Sequence, residues 1–315
     1  MNTHLPIPPA PRSVLTLAAL TGSLLAAGCS ESAPTAPRLS PGEPSADRAT
    51  PTFTFTAIDV PNALLTSAQG INAGGMVAGF YVDANSHSHG FILSGGAFTT
   101  IDYPGAANTS ARGIGPDGDV VGTHSNQGEE AVAAHGYRRS STGEFSPVHF
   151  PGHLYEVPQR ILPDGTILGC RHDHDLMSSM RGMTISRNGA SDIDAFASMN
   201  NGATPDGHRT IGLYTNMMAG HGEGYLIDNG EFTPLLFPGS TSTAAWDINA
   251  RGDIVGVYVS AGAAHGWIRA SGEFTTINYP GATATRVFGV NSRGDVVGAY
   301  VAAGKTHGFV GTRMQ

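Results

Sequence analysis

The chain repeats itself about every 44 residues, and any fold it adopts must be assembled from that unit. Aligned on Gly-x-x-x-Gly-x-Tyr, the copies run Gly75–Tyr81, Gly118–His124, Gly165–Arg171, Gly207–Tyr214, Gly252–Tyr258 and Gly294–Tyr300, with starts 42 to 47 residues apart. Most continue into His-Gly-aromatic, as at His89-Gly90-Phe91, His135-Gly136-Tyr137, His265-Gly266-Trp267 and His307-Gly308-Phe309. Two drift, to Arg181-Gly182-Met183 and Glu223-Gly224-Tyr225. The unit closes on Phe-Thr-Thr-Ile, an Asp or Asn, and Tyr-Pro-Gly, as in Phe98–Gly105 and Phe274–Gly281.

Each copy reads as four short strands. In the first copy these are Ser67–Asn72, Met76–Tyr81, a third beginning at His89 and a fourth over Phe98–Asp102, with Asn72-Ala73-Gly74-Gly75 and Ser94-Gly95-Gly96 as hairpin signals. No segment shows sustained 3.6-residue periodicity, and 43 glycines suit an all-β chain full of tight turns. Four strands per repeat of this length build propeller blades. The last copy stops after its third strand, near Val310, while a spare fourth strand, Phe53–Asp59, precedes the first copy. The expected fold is therefore a six-bladed β-propeller spanning residues 52–315, closed by the N-terminal strand pairing into the last blade. An open β-solenoid would need no such complementary ends.

The pattern Ile-Asn-x-x-Gly-Asp-x-Val-Gly-x-Tyr, His-Gly-Phe and Phe-Thr-Thr-Ile-Asp-x-Pro-Gly-Ala resembles the extracellular HAF-repeat family. The resemblance runs from about Phe53 to Val310 and is sharpest in copies 1, 5 and 6; copies 3 and 4 depart from it. It implies a propeller-like exported protein and no particular reaction.

The first residues point to the same compartment. Arg12 precedes an apolar stretch, Val14–Ala27, too short to cross a bilayer and ending in Leu24-Leu25-Ala26-Ala27-Gly28-Cys29. This is similar to a bacterial lipobox, so residues 1–28 are expected to be a signal peptide and Cys29 the lipidated N-terminus. An ordinary secretory peptide with a chance cysteine is the alternative. Ser30 favours outer-membrane delivery, giving a periplasmic or cell-surface protein anchored to the membrane. The Pro-, Ser- and Ala-rich residues 29–51 read as a disordered tether. Cys170 is the only other cysteine, which leaves no intrachain disulfide once Cys29 carries lipid. A formal charge of −8 excludes a nucleic-acid footprint, and a monomer is expected.

Blade topology puts the loops after the second and fourth strands on one face, where propellers carry ligands. There each second strand ends, and each third strand begins, with a chemically capable residue: Tyr81/His89, His124/His135, Arg171/Arg181, Tyr214/Glu223, Tyr258/His265 and Tyr300/His307. A residue repeated in every blade usually serves the repeat, as an imidazole donating to a carbonyl and a tyrosine packed on the next blade. The departures in blades 2 and 3 gather imidazoles and guanidiniums. Arg forks onto a uronate carboxylate, and a His or Tyr can then take the acidified C–H proton. The set His124, His135, Arg171, Arg181 with Tyr81 or Tyr214 would accordingly suit β-elimination of a uronate-containing polysaccharide. Against this stands a non-catalytic module binding a glycan or envelope protein on the same face, the preferred reading.

No cofactor is required by the pattern. His172 and His174, two apart in an extended segment, could share a metal with Asp175 or Cys170, although no finger-like spacing supports them. Cys170 follows an apolar strand and is expected to be a small core residue. Arg251-Gly252-Asp253 and Arg293-Gly294-Asp295 look like adhesion tripeptides but occupy the hairpin position held by Asp117-Gly118-Asp119 in the second copy.

Overall fold

The computed structural model describes residues 51–193 and 195–314. The signal segment 1–28, the Cys29 lipidation site and the tether as far as residue 50 lie outside the described residues. What is described is six four-stranded antiparallel sheets. Strand β1 (Phe53–Ile58) precedes blade 1, which holds β2 (Leu65–Ile71), β3 (Val77–Val82), β4 (Ser88–Ser94) and β5 (Ala97–Ile101). Blade 2 holds β6 (Asn108–Ile114), β7 (Val120–Ser125), β8 (His135–Arg139) and β9 (Phe145–Val148). Blade 3 holds β10 (Tyr155–Ile161), β11 (Ile167–His172), the single turn α1 (Leu176–Ser179), β12 (Arg181–Ser186) and β13 (Gly189–Asp192). Blade 4 holds β14 (Ser198–Ala203), β15 (Arg209–Asn216), β16 (His221–Asp228) and β17 (Glu231–Leu235). Blade 5 holds β18 (Ser242–Ile248), β19 (Ile254–Ser260), β20 (Ala263–Ala270) and β21 (Glu273–Ile277). Blade 6 holds β22 (Ala284–Val290), β23 (Val296–Ala302), β24 (Lys305–Arg313) and, as its fourth strand, β1.

The ring closes as the mismatched chain ends required. β1 runs antiparallel to β24 from Phe53↔Arg313 to Ile58↔Gly308, and the Met314 N–H donates to the Thr52 carbonyl at 2.9 Å. Phe55 packs against the rings of Tyr279 and Phe309, 5.4 and 5.6 Å away. β24 is thereby covered, and the sixth blade has four strands like the other five.

The repeat's glycines follow from blade packing. The large third-strand side chains Phe91, Tyr137, Tyr225, Trp267 and Phe309 are all fully buried. Each aromatic ring lies over the second-strand glycine of its own blade. At Gly256 a Cβ would sit 2.0 Å from the Ala244 carbonyl oxygen and 2.7 Å from the Trp267 ring. No side chain fits there, so Gly is required by close approach.

The innermost strands β2, β6, β10, β14, β18 and β22 contact one another around the axis, and each carries one β-bulge. The bulged residues are Gln69, Arg112, Gln159, Asn201, Trp246 and Phe288. The next position is Gly in four blades, Arg160 in blade 3 and Asp247 in blade 5. These two meet across the axis, Arg160 Nε 3.2 Å from Asp247 Oδ1. The Arg160 guanidinium also donates to the carbonyls of Gln159 at 2.7 Å, Gln69 at 3.2 Å, Arg112 at 3.4 Å and Trp246 at 3.4 Å, and to that of Phe288. Asp247 in turn accepts the N–H groups of Ile248 and Val290, both at 3.0 Å. One buried ion pair therefore ties five blades together at the hub.

Candidate functional site

All six pairs expected at the strand ends are direct cross-strand neighbours: Tyr81↔His89, His124↔His135, Arg171↔Arg181, Tyr214↔Glu223, Tyr258↔His265 and Tyr300↔His307. In blades 1, 5 and 6 they form a structural ladder. Each imidazole stacks on its tyrosine at 5.0 Å between ring centres. The imidazole's partner differs from the expected carbonyl: His89 Nδ1 meets Asp102 at 2.7 Å, His265 meets Asn278 at 3.0 Å and His307 meets Asp59 at 2.8 Å. Each of these Asp or Asn residues directly follows the fourth strand of the same blade, which explains its place before Tyr-Pro-Gly in blades 1 and 5 and before Val60-Pro61 in blade 6. The tyrosines stack on the connection arriving from the preceding blade, Tyr300 on Tyr279 at 3.6 Å and Tyr258 on Phe237 at 3.8 Å.

Blades 2 and 3 break the ladder and build something else. His124 takes the tyrosine position and stacks on Tyr103 at 3.7 Å, with the His135 ring 5.3 Å away. His149 stands where the ladder would need an acid, and its Nδ1 lies 3.0 Å from the buried Glu156. His135 turns instead to Glu129 in loop 126–134, at 2.9 Å. The neighbouring Glu130 accepts the Tyr155 hydroxyl at 2.6 Å and the His174 ring at 2.5 Å. The Tyr155 ring lies 5.6 Å from His135 and 5.3 Å from His172. A continuous network of imidazole, phenol and carboxylate thus spans the two blades on the loop-rich face.

The charges of this network are set by its surroundings. Burial, and then the nearby His135, lowers His124 to about 4, so the ring is neutral at pH 7. Burial opposes ionisation of Glu129, but hydrogen bonds from the Asn126 backbone and side chain and from His135 outweigh it and bring the carboxyl to about 2. The hydrogen bond to Glu130 raises Tyr155 to about 12, keeping the phenol a donor.

Apart from His174, held by Glu130, and His172, beside the Tyr155 ring, the other sequence candidates lie outside this network. Arg171 is buried, with its Nε 2.8 Å from Asp192 and its Nη1 donating to the Ser179 carbonyl at 2.8 Å. Arg181 donates to the carbonyls of Ser178 and Met180, both at 2.9 Å. Both guanidiniums are thus engaged within blade 3. Tyr81 meets Thr100 at 3.3 Å and Tyr214 donates to Glu223 at 2.6 Å, each inside its own blade. Of the expected metal ligands, His172 is buried with Nδ1 3.1 Å from the Asp173 carbonyl, His174 belongs to Glu130, and Asp175 opens α1 by accepting the Ser178 N–H. Among the described residues no three His, Cys, Asp or Glu side chains gather as a metal-holding group. Cys170 is buried in an apolar cluster that pushes its thiol up to about 12, as a small core residue should be. The two adhesion-like tripeptides are turns: Asp253 is 4% exposed and holds Arg251 at 2.7 Å.

Three members of the network, Glu129, Glu130 and Tyr155, were not among the expected residues. Tyr155 opens an innermost strand where the other described copies carry Leu65, Asn108, Ala197, Ser242 and Ala284, and loop 126–134 is longer than its counterparts. Both departures can be found by aligning the whole repeat, first strand and loops included.

Neither a protein-family model nor a curated protein matches the chain. Solved structures do. TolB from Acinetobacter baumannii is 15% identical, with 76% of this chain and 64% of that one covered and a TM-score of 0.55. The putative TolB from Agrobacterium tumefaciens is 12% identical over 85% of this chain and 100% of that one, TM-score 0.54. The β-propeller domain of the Trilobed protease from Pyrococcus furiosus is 14% identical over 80% and 96%, TM-score 0.50. That domain is described as having an open velcro topology, whereas β1 closes the ring here. At such identities the likeness establishes the propeller fold: this chain is an all-β, six-bladed β-propeller.

Proposed function

We propose that the protein is an exported, lipid-anchored HAF-repeat propeller whose loop-rich face binds a polar partner, a glycan or an envelope protein, at the network on blades 2 and 3. The supporting observation is the contrast between blades. Where the repeat is kept, its His and Tyr are consumed by the ladder; where it is broken, Glu129, Glu130, His135, Tyr155 and His174 form a partly exposed set of donors, acceptors and rings. Such a surface matches the alternating hydroxyls and apolar faces of a sugar. Of the described histidines, all but His208 lie at this end of the blades, so the chain concentrates its polar recognition groups on one face. Export and anchoring rest on Arg12, the apolar run and Cys29 in the sequence.

A binding module fits this arrangement better than a uronate lyase. Elimination needs a guanidinium available to the substrate carboxylate, and Arg171 already faces Asp192. The test is a panel of uronate-containing and neutral polysaccharides, read by affinity retention and by ultraviolet absorbance of an unsaturated product. Retention lost in Tyr155→Ala and His135→Ala supports the binding reading. New absorbance abolished by His124→Ala or His135→Ala would replace it with the lyase. Silence in both readouts removes the glycan and leaves an envelope protein as the partner to seek.

A further inference from the structure

The hub of the propeller has more positive charge than its partners account for. Arg112, the bulged residue of β6, and Arg286, on β22, each carry a buried Nε with no hydrogen-bond partner. Among the described residues no acidic side chain forms an ion pair with either. The Trp246 indole N–H and the Asn201 side-chain oxygen, on two further innermost strands, are buried and unpartnered as well. Among the described residues of the innermost strands' bulges and their axis-facing neighbours, the three guanidiniums of Arg112, Arg160 and Arg286 face one carboxyl group, that of Asp247. This occurs in a chain whose net charge is −8, so general basicity does not explain it.

The two arginines lie on the loop-face side of the seal. Alternation along the innermost strand puts Ser110 and Arg112 on one side of β6 and Arg286 and Phe288 on one side of β22, all nearer the loop-rich face than the Arg160–Asp247 contact. Side chains in these positions touch between adjacent innermost strands: Gln159 donates to the Met199 sulfur at 3.2 Å, and Trp246 meets Phe288 edge-on at 5.2 Å. Arg112, Trp246 and Arg286 are each partly exposed as whole residues, while the Nε atoms of the two arginines and the Trp246 indole nitrogen are themselves buried. Water can satisfy a stray N–H, but it does not neutralise a charge held among apolar walls. Burial, with Arg160 as a like-charged neighbour, lowers the Arg112 pKa, and burial lowers that of Arg286.

We infer that the loop-rich end of the axis is an anion site, in which the Arg112 and Arg286 side chains swing toward an oxyanion, a carboxylate or a phosphate, with the Trp246 N–H as a further donor. Guanidinium forks match the two oxygens of either group. Trp246 and Phe288 offer an apolar wall to the body of an organic anion. The inference stands apart from the blade 2–3 network and does not depend on it.

The test is calorimetric titration and thermal unfolding of the protein with sodium galacturonate, sodium phosphate, galactose and sodium chloride at matched ionic strength. One or both oxyanions are expected to raise Tm by roughly 2–4 °C at about five times Kd, with galactose and chloride silent. Galacturonate alone identifies a carboxylate ligand, phosphate alone a phosphate ligand, and both a general oxyanion site. Arg112→Met and Arg286→Met should each weaken binding about tenfold or more. Their Tm without anion should be unchanged or higher, since each removes an uncompensated buried charge; a merely structural arginine would lower it. Arg286→Lys should retain part of the affinity and covers the event that a Met variant fails to fold. His135→Ala should leave the effect intact, separating this site from the network. Equal response to chloride and both oxyanions, or full oxyanion binding in the Met variants, would overturn the inference.

Discussion

Asp247→Gly removes one half of the hub's ion pair, and its cost can be worked from the contacts. The substitution leaves the Arg160 guanidinium buried and takes away the acceptor for the Ile248 and Val290 N–H groups. Breaking a buried pair by removing one partner costs about 3–5 kcal/mol. That is a large share of the roughly 5–15 kcal/mol available to a folded domain, and at about 2–4 °C per kcal/mol it lowers Tm by roughly 6–20 °C. Arg160→Gly should cost a similar amount by leaving Asp247 buried and uncompensated. The decisive protein is the double variant, because Gly is what the other four blades carry at this position. With both charges gone the axis resembles the regular repeat and admits water to the bulge carbonyls. Urea unfolding of the four proteins gives the cycle, with an expected coupling of about 3 kcal/mol or more, so the double variant is no worse than either single one. Losses that simply add, with a coupling under about 0.5 kcal/mol, would refute the view that this pair holds the hub.

Three further outcomes follow from the same geometry. Gly256→Ala places a Cβ against the Ala244 carbonyl and the Trp267 ring, so it should cost about 3 kcal/mol or more, read as a lower urea midpoint. His124 has a folded pKa of about 4, below its value near 6.5 when unfolded, so the unfolded chain binds more protons between those values. Stability should therefore fall as pH drops from about 6.5 to 4, and His124→Phe, which keeps a ring on Tyr103, should flatten that fall. Phe55→Ala loosens the seam between β1 and the rings of Tyr279 and Phe309; about 1–2 kcal/mol should be lost, with increased self-association seen by light scattering.

The sequence carried the architecture because each repeat is its own control: a hairpin glycine or a His-Gly pair seen in several copies cannot be chance. It also carried the cross-strand neighbours of the loop-rich face, since strand ends are marked by the turns beside them. The partners of those residues were less visible. Asp102 serves His89 from just beyond the neighbouring strand, and Asp192 serves Arg171 from two strands away, relations that only the assembled sheet reveals. Arg160 and Asp247 are plain departures from Gly in an alignment, but nothing in the chain says that this position is the axis, or that residues 87 apart face each other there. Arg112 and Arg286 differ again, for their interest lies in partners they lack, which no local pattern encodes.

The seam between β1 and β24 also fixes a timetable. Among the described strands β1 is synthesised first and its partner last, so every blade between Leu65 and β24 is made before the ring can shut. At about 5–20 residues per second that interval lasts tens of seconds, during which β1 has no sheet to join. Ring closure is then the final event of folding and the most non-local one, the kind that slows a β protein most. A chain halted before Lys305 would carry five finished blades and two raw edges, a form that quality control could distinguish from the closed disc.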